Sequence, residues 1–197
     1  MPKNKTLTIP ESPLVQINLR LFEKAVDIDL NELPFMGHLN LRGRAENKAF
    51  LKAAFTLLGI DLPLKANTFV TSDNLEIYWL GPDEWLIITA PDQQTELEAK
   101  LRKKLKNIFS SVTDVSSGQT IITIGGSNAR ALIEKACTID LHPRQFSVGD
   151  CAQTRLAKTG VLIAQIDDKP VYEIIVRRSF SDYLGLWLQD AVVEFIE

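Results

Sequence analysis

The side chains that most often carry metal or redox chemistry are few in this sequence. Its 197 residues include two histidines and two cysteines. Cys137, His142 and Cys151 lie close together along the chain, and thiolate and imidazole groups are the ligands that zinc prefers. Their spacing, with four and then eight residues between them, matches no closed zinc motif. We therefore interpret them as structural thiols and a surface histidine.

Two short segments near predicted turns could also bind or react. Gly125-Gly126-Ser127 lies between a predicted strand and a predicted helix, where free backbone N–H groups can bind a phosphate or carboxylate. A tight turn followed by a Ser N-cap explains the same residues without a ligand, and we favour that interpretation. Asp83 and Glu84 are adjacent acids in a turn. Because neighbouring turn side chains diverge, we do not expect them to act as an acid–base pair.

Two basic segments suggest contacts with anionic groups. Arg177 and Arg178 end a predicted strand, where successive side chains point to opposite faces. One of them can therefore form a bidentate pair with a carboxylate of this chain or of a partner, which we favour over substrate binding. Basic residues at positions 100–106 alternate with leucines on a predicted helix that has acids one turn earlier. This pattern is typical of a solvated helix face rather than an RNA-binding surface.

The composition is that of an ordinary globular protein. Apolar residues make up 45% and charged residues 24% of the chain, which excludes intrinsic disorder and a collagen-like structure. The net charge of −3 gives no overall cationic field, so we expect neither a nucleic acid nor a membrane as partner. The sequence contains no Walker, dinucleotide-binding, nucleophile-elbow or His-Glu-x-x-His motif.

The cysteine content and the first residues predict the cellular compartment. Two cysteines are too few for a disulfide-dependent secreted domain of this size, and residues 1–13 contain no apolar stretch typical of a signal peptide. No window approaches the roughly 20 apolar residues that cross a bilayer. We expect a soluble, cytoplasmic protein.

Three segments can be distinguished by their hydrophobic pattern. Residues 1–37 contain prolines at positions 2, 10, 13 and 34 and hold no single apolar period, which predicts an extended N-terminal arm. Because this arm is too apolar for free solution, we expect it to lie on the chain's own core or on a partner. Residues 38–116 and 117–197 then each follow the order strand, helix, strands, helix.

The predicted elements of the two units have clear boundaries. In the first unit a strand at 39–43 precedes a helix that ends at Gly59, and strands 75–80 and 85–89 form a hairpin before a second helix with Leu97, Leu101, Leu105 and Ile108 on one face. In the second unit strands are predicted at 119–124, 152–157, 161–166 and 171–176. A final helix begins with a capping box of Ser179 and Asp182 and buries one face that includes Phe180 and Trp187. Trp79, Trp85 and Trp187 are expected in the core.

This order predicts an α+β protein with two tandem ferredoxin-like units, in which helices cover antiparallel sheets. A chance convergence of the apolar pattern is the alternative to a duplication. Four further segments are distinctive. They are Leu80-Gly81-Pro82-Asp83-Glu84-Trp85-Leu86, Cys137 followed by Asp140-Leu141-His142-Pro143-Arg144, Gly149-Asp150-Cys151-Ala152-Gln153-Thr154, and Val176-Arg177-Arg178-Ser179-Phe180-Ser181-Asp182-Tyr183-Leu184. In these segments the chain resembles a known family, the γ subunit of heterotetrameric sarcosine oxidase, and the resemblance extends from about Phe35 to Phe195.

The resemblance implies a fold like the folate-binding aminomethyltransferase of the glycine cleavage system, and an accessory, non-catalytic subunit. The implied enzyme oxidatively demethylates sarcosine to glycine, forms hydrogen peroxide and passes the one-carbon unit to tetrahydrofolate. It also implies α, β and δ subunits as partners, with FAD, FMN, NAD, tetrahydrofolate and zinc on those subunits and no cofactor on this chain. We expect no catalytic, cofactor-binding or metal-binding residue here. Candidate partner-interface residues are Arg177, Arg178, His142 and Arg144.

Some positions depart from the family pattern. Gln119 stands where Arg is common, Thr138 replaces Pro, and Gly185 lies inside the final predicted helix, where it marks either a close contact or a weakened helix. The sequence also lacks the Lys-Gly-Cys-Tyr-x-Gly-Gln motif of related folate-binding proteins that assist iron–sulfur assembly. An autonomous folate-binding or one-carbon-transfer protein, using a cleft between the two halves, is the alternative function.

Overall fold

The computed structural model describes residues 10–17, 23 and 25–196, and these residues form ten strands and four α-helices. The strands are β1 Asp29–Leu33, β2 Gly37–Gly43, β3 Phe69–Ser72, β4 Leu75–Gly81, β5 Glu84–Thr89, β6 Ser110–Asp114, β7 Gln119–Gly125, β8 Cys151–Leu156, β9 Thr159–Asp167 and β10 Val171–Arg177. The helices are α1 Lys48–Leu58, α2 Gln94–Lys104, α3 Ala129–Glu134 and α4 Arg178–Val192.

The strands form two five-stranded antiparallel sheets. The first has the order β3-β4-β5-β2-β6, and the second has the order β1-β7-β10-β9-β8. The predicted hairpin of residues 75–80 and 85–89 is confirmed, because β4 and β5 pair with Trp79 opposite Trp85. The predicted α+β class with antiparallel sheets is therefore confirmed.

The two sheets pack face to face, and each is covered by helices on its outer face. One core cluster joins the first sheet to α1 and α2, a second joins the second sheet to α3 and α4, and a third lies between the sheets. Strand β5 shows the pattern, since Trp85 and Ile87 belong to the first cluster whereas Leu86 and Ile88 belong to the cluster between the sheets. A strand buried on both faces needs a continuous apolar run, and this one reads Trp-Leu-Ile-Ile.

Part of the predicted N-terminal arm belongs to the second sheet. Residues 29–33 form β1, which pairs with β7 so that Leu33 lies opposite Ile121. Leu14 and Ile17 are buried in the core beside α4. A Cβ added to Gly185 would lie 2.8 Å from Cγ1 of Ile17, so this glycine marks a close contact. Residues 1–9, 18–22 and 24 of the predicted arm lie outside the described residues.

One predicted helix end is confirmed, and two predicted helix starts are wrong. Gly59 ends α1 in the left-handed conformation, as predicted. The predicted Ser N-cap at Ser127 is wrong: Asn128 precedes α3, and the Ser127 hydroxyl donates to the Asp27 carboxylate instead. The predicted capping box of Ser179 and Asp182 is also wrong, because β10 continues directly into α4 and the helix already begins at Arg178.

The burial of the aromatic residues follows the pattern in part. Trp85 is fully buried and its indole N–H donates to the Pro63 carbonyl over 2.8 Å. Trp79 and Trp187 are half-buried. Phe180, which was assigned to the buried face of the last helix, is exposed, because the buried face of α4 is centred on Ser181, Leu184 and Leu188, and Phe180 lies at its edge. Among the helices of the described chain, none is long and apolar enough to cross a membrane.

Candidate functional site

The seam between the two sheets changes from apolar to polar along its length. Strand β10 shows this alternation, since Ile175 lies in the apolar cluster between the sheets while Glu173 and Arg177 stand two residues away on either side. Successive residues on one face of a strand are two positions apart, so all three face the first sheet. The seam therefore has an apolar centre and a polar group at each end.

At the Arg177 end the two sheets line an open cleft of about 640 Å³. Both sheets contribute to its walls, and the apolar floor comes from Leu86, Leu162 and Ile175. This volume is in the range of small-molecule sites, which are mostly apolar with a few polar groups. The polar lining side chains are Asn40, Glu84, Gln119, Gln153, Thr154, Arg155, Thr159 and Arg177.

The one carboxylate of this lining is already bonded within the chain. Arg42 Nη2 donates to Oε2 of Glu84 over 2.6 Å, and Asn40 Nδ2 donates to its Oε1 over 2.8 Å. Partial burial opposes ionisation, but these hydrogen bonds outweigh it and lower the pKa of Glu84. Glu84 therefore remains an ionised, fixed group in the wall of the cleft.

The two arginines of the cleft, unlike Arg42, are not paired with a carboxylate in the described part of the chain. Arg155 and Arg177 are both exposed, and within the described part of the chain neither forms an ion pair. Arg155 lies opposite Gly160 in the pairing of β8 with β9. In the pairing of β9 with β10, Val161 lies opposite Val176, so the antiparallel register places Gly160 beside Arg177. The two arginines thus stand in one row across the sheet, with a glycine between them.

A buried histidine supports the wall of the cleft. His38 is 1% exposed, and its Nδ1 lies 2.8 Å from Oε1 of Gln119, which requires the Nδ1–H group to donate. Burial lowers the pKa of His38, although the hydrogen bond to Gln119 opposes this. A neutral imidazole therefore fixes Gln119 in the wall of the cleft.

At the other end of the seam, two carboxyl groups meet one tyrosine hydroxyl. Oη of Tyr78 lies 2.6 Å from Oε2 of Glu173 and 2.8 Å from Oε2 of Glu76. A phenol has one proton and can donate to only one carboxylate, so the second contact requires a protonated carboxyl group. Burial, and next the negative charge of Glu76, raises the pKa of Glu173 to about 7. Below about pH 7 Glu173 therefore holds a proton that it can donate to Tyr78, while Tyr78 donates to Glu76.

The predicted interface residues lie at two places in the structure. His142 and Arg144 are exposed in the loop before β8, where the Arg144 backbone N–H donates to Nδ1 of His142 over 3.2 Å. Arg177 lines the cleft, whereas Arg178 is the first residue of α4 and its Nη2 lies 3.4 Å from the Glu11 carbonyl oxygen. The prediction that both arginines end a strand and point to opposite faces is wrong for Arg178, because the helix begins there.

The residues considered for metal binding do not form a cluster. Cys151 is buried and burial raises the pKa of its thiol to about 12, while Cys137 is half-buried and His142 is exposed. In the described ranges, no three His, Cys, Asp or Glu side chains are placed to hold a metal ion.

The sequence patterns identified Arg177 but missed Glu173 and Arg155. The single acid Glu173 interrupts the apolar strand Val-Tyr-Glu-Ile-Ile-Val, and this interruption was the available signal. Arg155 shares one face of β8 with Cys151 and Gln153, as the two-residue period of a strand predicts. That period does not predict which sheet this face packs against. The cleft depends on how two sheets from different parts of the sequence pack together, and a local sequence pattern does not predict that packing.

The fold defines a class of proteins with two helix-covered antiparallel sheets. A structure of glycine cleavage system aminomethyltransferase T from Bartonella henselae has this fold, with a TM-score of 0.65 over 86% of this chain and 48% of that chain. At 13% identity this similarity shows the fold alone.

The chain belongs to the sarcosine oxidase, gamma subunit family, whose family model matches residues 42–194. It is 32% identical to a sarcosine oxidase subunit gamma of Corynebacterium sp. (strain P-1), over 85% of this chain and 81% of the relative. A chain in a structure of heterotetrameric sarcosine oxidase from Corynebacterium sp. U-96, in complex with pyrrole 2-carboxylate, matches with a TM-score of 0.86 and 27% identity. That match covers 95% of this chain and 97% of the other.

Proposed function

We propose that this chain is an accessory, non-catalytic subunit of a heterotetrameric sarcosine oxidase. The observation that carries the proposal is the match to a chain of the Corynebacterium sp. U-96 enzyme along nearly the full length of both chains. The complex would oxidatively demethylate sarcosine to glycine, release hydrogen peroxide and pass the one-carbon unit to tetrahydrofolate. The protein would act in the cytoplasm.

The chemistry of this enzyme would belong to the other subunits. We place FAD, FMN, NAD, tetrahydrofolate and zinc on α, β and δ subunits, with none on this chain. The buried polar groups described here support this assignment, because His38 is bonded to Gln119 and Glu173 is bonded to Tyr78.

The finer architecture is part of the same proposal. We propose that residues 38–116 and 117–197 are two tandem ferredoxin-like units and that residues 1–37 form the N-terminal arm. In the first unit the order β4-β5-β2-β6, with two intervening helices, fits a ferredoxin-like unit with β3 added at its edge. In the second unit β8 is the added edge strand, and the position that β6 has in the first unit is filled by β1, from the arm.

We assign Arg177, Arg178, His142 and Arg144 to surfaces that contact partner subunits. All four are exposed in the isolated chain, and a guanidinium group is well suited to carboxylates at an interface. The two pairs lie in different parts of the structure, so they would meet different segments of the assembly.

Co-expression tests this function. The chain should co-purify with the flavin-bearing subunits encoded with it, and sarcosine-dependent peroxide formation should require those subunits. Peroxide formation from sarcosine by the homogeneous isolated chain would overturn the accessory role.

An autonomous folate-binding protein is the second candidate, and the cleft is the observation that favours it. The lining contains a carboxylate and two guanidinium groups, which are the groups that a pterin and a glutamate tail require. The carboxylate of Glu84 is already held by Arg42 and Asn40, which weakens this candidate. Titration of tetrahydrofolate, followed by tryptophan fluorescence, would reveal micromolar binding if the candidate is correct.

A further inference from the structure

The geometry points to a docking site for a partner segment. We propose that the cleft, together with the exposed apolar row Phe180, Tyr183 and Leu186 on α4, receives an acidic and partly apolar polypeptide segment of another oxidase subunit. This inference rests on the proposed function, because it names the chemistry of the partner that this surface fits.

The charge of the cleft favours a carboxylate-bearing partner. Arg155 and Arg177 stand in one row with Gly160 between them, and neighbouring strands are about 5 Å apart. Their backbones are therefore separated by roughly 10 Å, a distance that two guanidinium groups can bridge to bind one or two carboxylates. The carboxylate of Glu84 is bonded to Arg42 and does not neutralise them.

The glycine between the arginines keeps the floor of the row open. A Cβ added to Gly160 would meet no atom within 4 Å, and its backbone is not in the left-handed region. The chain's own packing therefore does not require glycine here. A bound segment that approaches the strand closely does require it, because a side chain at this position would occupy the cleft.

The apolar row extends the cleft along α4. Phe180 lines the cleft and is 44% exposed, and Tyr183 and Leu186 follow at intervals of three residues with exposures of 36% and 59%. The Lys158 backbone N–H donates to Oη of Tyr183, so this row lies beside the turn between β8 and β9 that borders the cleft. The row is continuous with the cleft on one side of the molecule.

The extent of this surface favours a polypeptide over a small ligand. Leu186 lies six positions after Phe180 on the helix, which extends the surface about 9 Å along the axis beyond the cleft itself. A contiguous exposed apolar surface that is rimmed by polar groups typically marks a protein interaction site. The chain as a whole carries a net charge of −3, so attraction of an acidic segment depends on this local pair of arginines.

The test uses three variants in the complete oxidase. In R155E/R177E the charge of the row is reversed, in Gly160→Tyr the cleft is filled, and K103E/K104E is the control with the same change in net charge on the exposed face of α2. Each variant is first compared with the wild type by circular dichroism and thermal unfolding. Its dissociation constant for the complex of the remaining subunits is then measured at roughly 0.05 and 0.5 M salt.

We expect both cleft variants to bind at least about tenfold more weakly than the wild type, and the control to bind within about twofold. Higher salt should weaken the binding of the wild type more than that of R155E/R177E.

If the wild type assembles and both cleft variants bind with unchanged affinity, the docking site is refuted while the subunit function stands. Weaker binding of the charge variant alone indicates long-range attraction or a small anionic ligand, and also refutes docking in the cleft. If the wild type does not assemble, the proposed function fails and this inference fails with it.

Discussion

Replacement of Glu173 by Gln should remove a pH-dependent loss of stability. Glu173 is buried at the seam, and below about pH 7 it holds a proton that it donates to Tyr78, while Tyr78 donates to Glu76. A glutamine amide can make the same donation to Tyr78 at every pH. The variant Glu173→Gln therefore preserves the hydrogen bonds of the protonated form and cannot ionise.

The magnitude follows from the pKa of Glu173. Burial raises this pKa from 4.5 to about 7, so the folded state binds a proton between these values that the unfolded state has released. The free energy of unfolding of the wild type therefore falls as the pH rises from about 4.5 to 7 and is level above. At about 1.4 kcal/mol per pKa unit, the total loss is about 3 kcal/mol.

The assay is urea unfolding at several pH values from roughly 5 to 8, followed by tryptophan fluorescence and circular dichroism. We expect Glu173→Gln to be more stable than the wild type above pH 7, by up to about 3 kcal/mol, and close to it near pH 5. The exposed residue Glu46 provides the matched control, since Glu46→Gln should leave the pH dependence unchanged. If Glu173→Gln shows the same fall with pH as the wild type, the assignment of the proton to Glu173 is refuted.

Three further changes test local contacts, each by its free energy of unfolding in urea. Asn47→Ala should cost about 1 kcal/mol, because Asn47 Oδ1 accepts from two N–H groups of the first turn of α1; an equal stability would contradict this cap. Gly185→Ala should cost about 1 to 3 kcal/mol through its contact with Ile17, and a smaller cost in an Ile17→Ala background would confirm the cause. Leu101→Ala should cost about 2 to 5 kcal/mol, since Leu101 is fully buried, and a cost under about 1 kcal/mol would mean that it does not pack in the core.

The local elements could be predicted because they depend on neighbouring residues. Pro82 and Asp83 between two aromatic and β-branched runs predicted the hairpin of β4 and β5, and Gly59 predicted the end of α1. The helix starts were less predictable. Asp27 occupies the start of α3, where its main-chain oxygen accepts from Asn128 and its carboxylate from Ser127, and the sequence near the helix gives no sign of this contact.

The candidate site could be predicted only in part because two distant segments form it. Arg177 was identified from its place at the end of a strand. Arg155 and Gly160 could be recognised as its neighbours only from the registers of β8, β9 and β10. The Tyr78 and Glu173 contact joins residues that are 95 positions apart. Such contacts depend on how the two sheets face each other, and periodicity within a strand does not encode that arrangement.

The place of β1 in the second sheet affects how the chain can mature on the ribosome. Leu33 pairs with Ile121, so about ninety residues must be added before the partner strand of β1 exists. At about 5 to 20 residues per second, this segment waits roughly 4 to 20 seconds with its edge unsatisfied. The pairing of β1 therefore cannot form until β7, in the second half of the chain, has been synthesised.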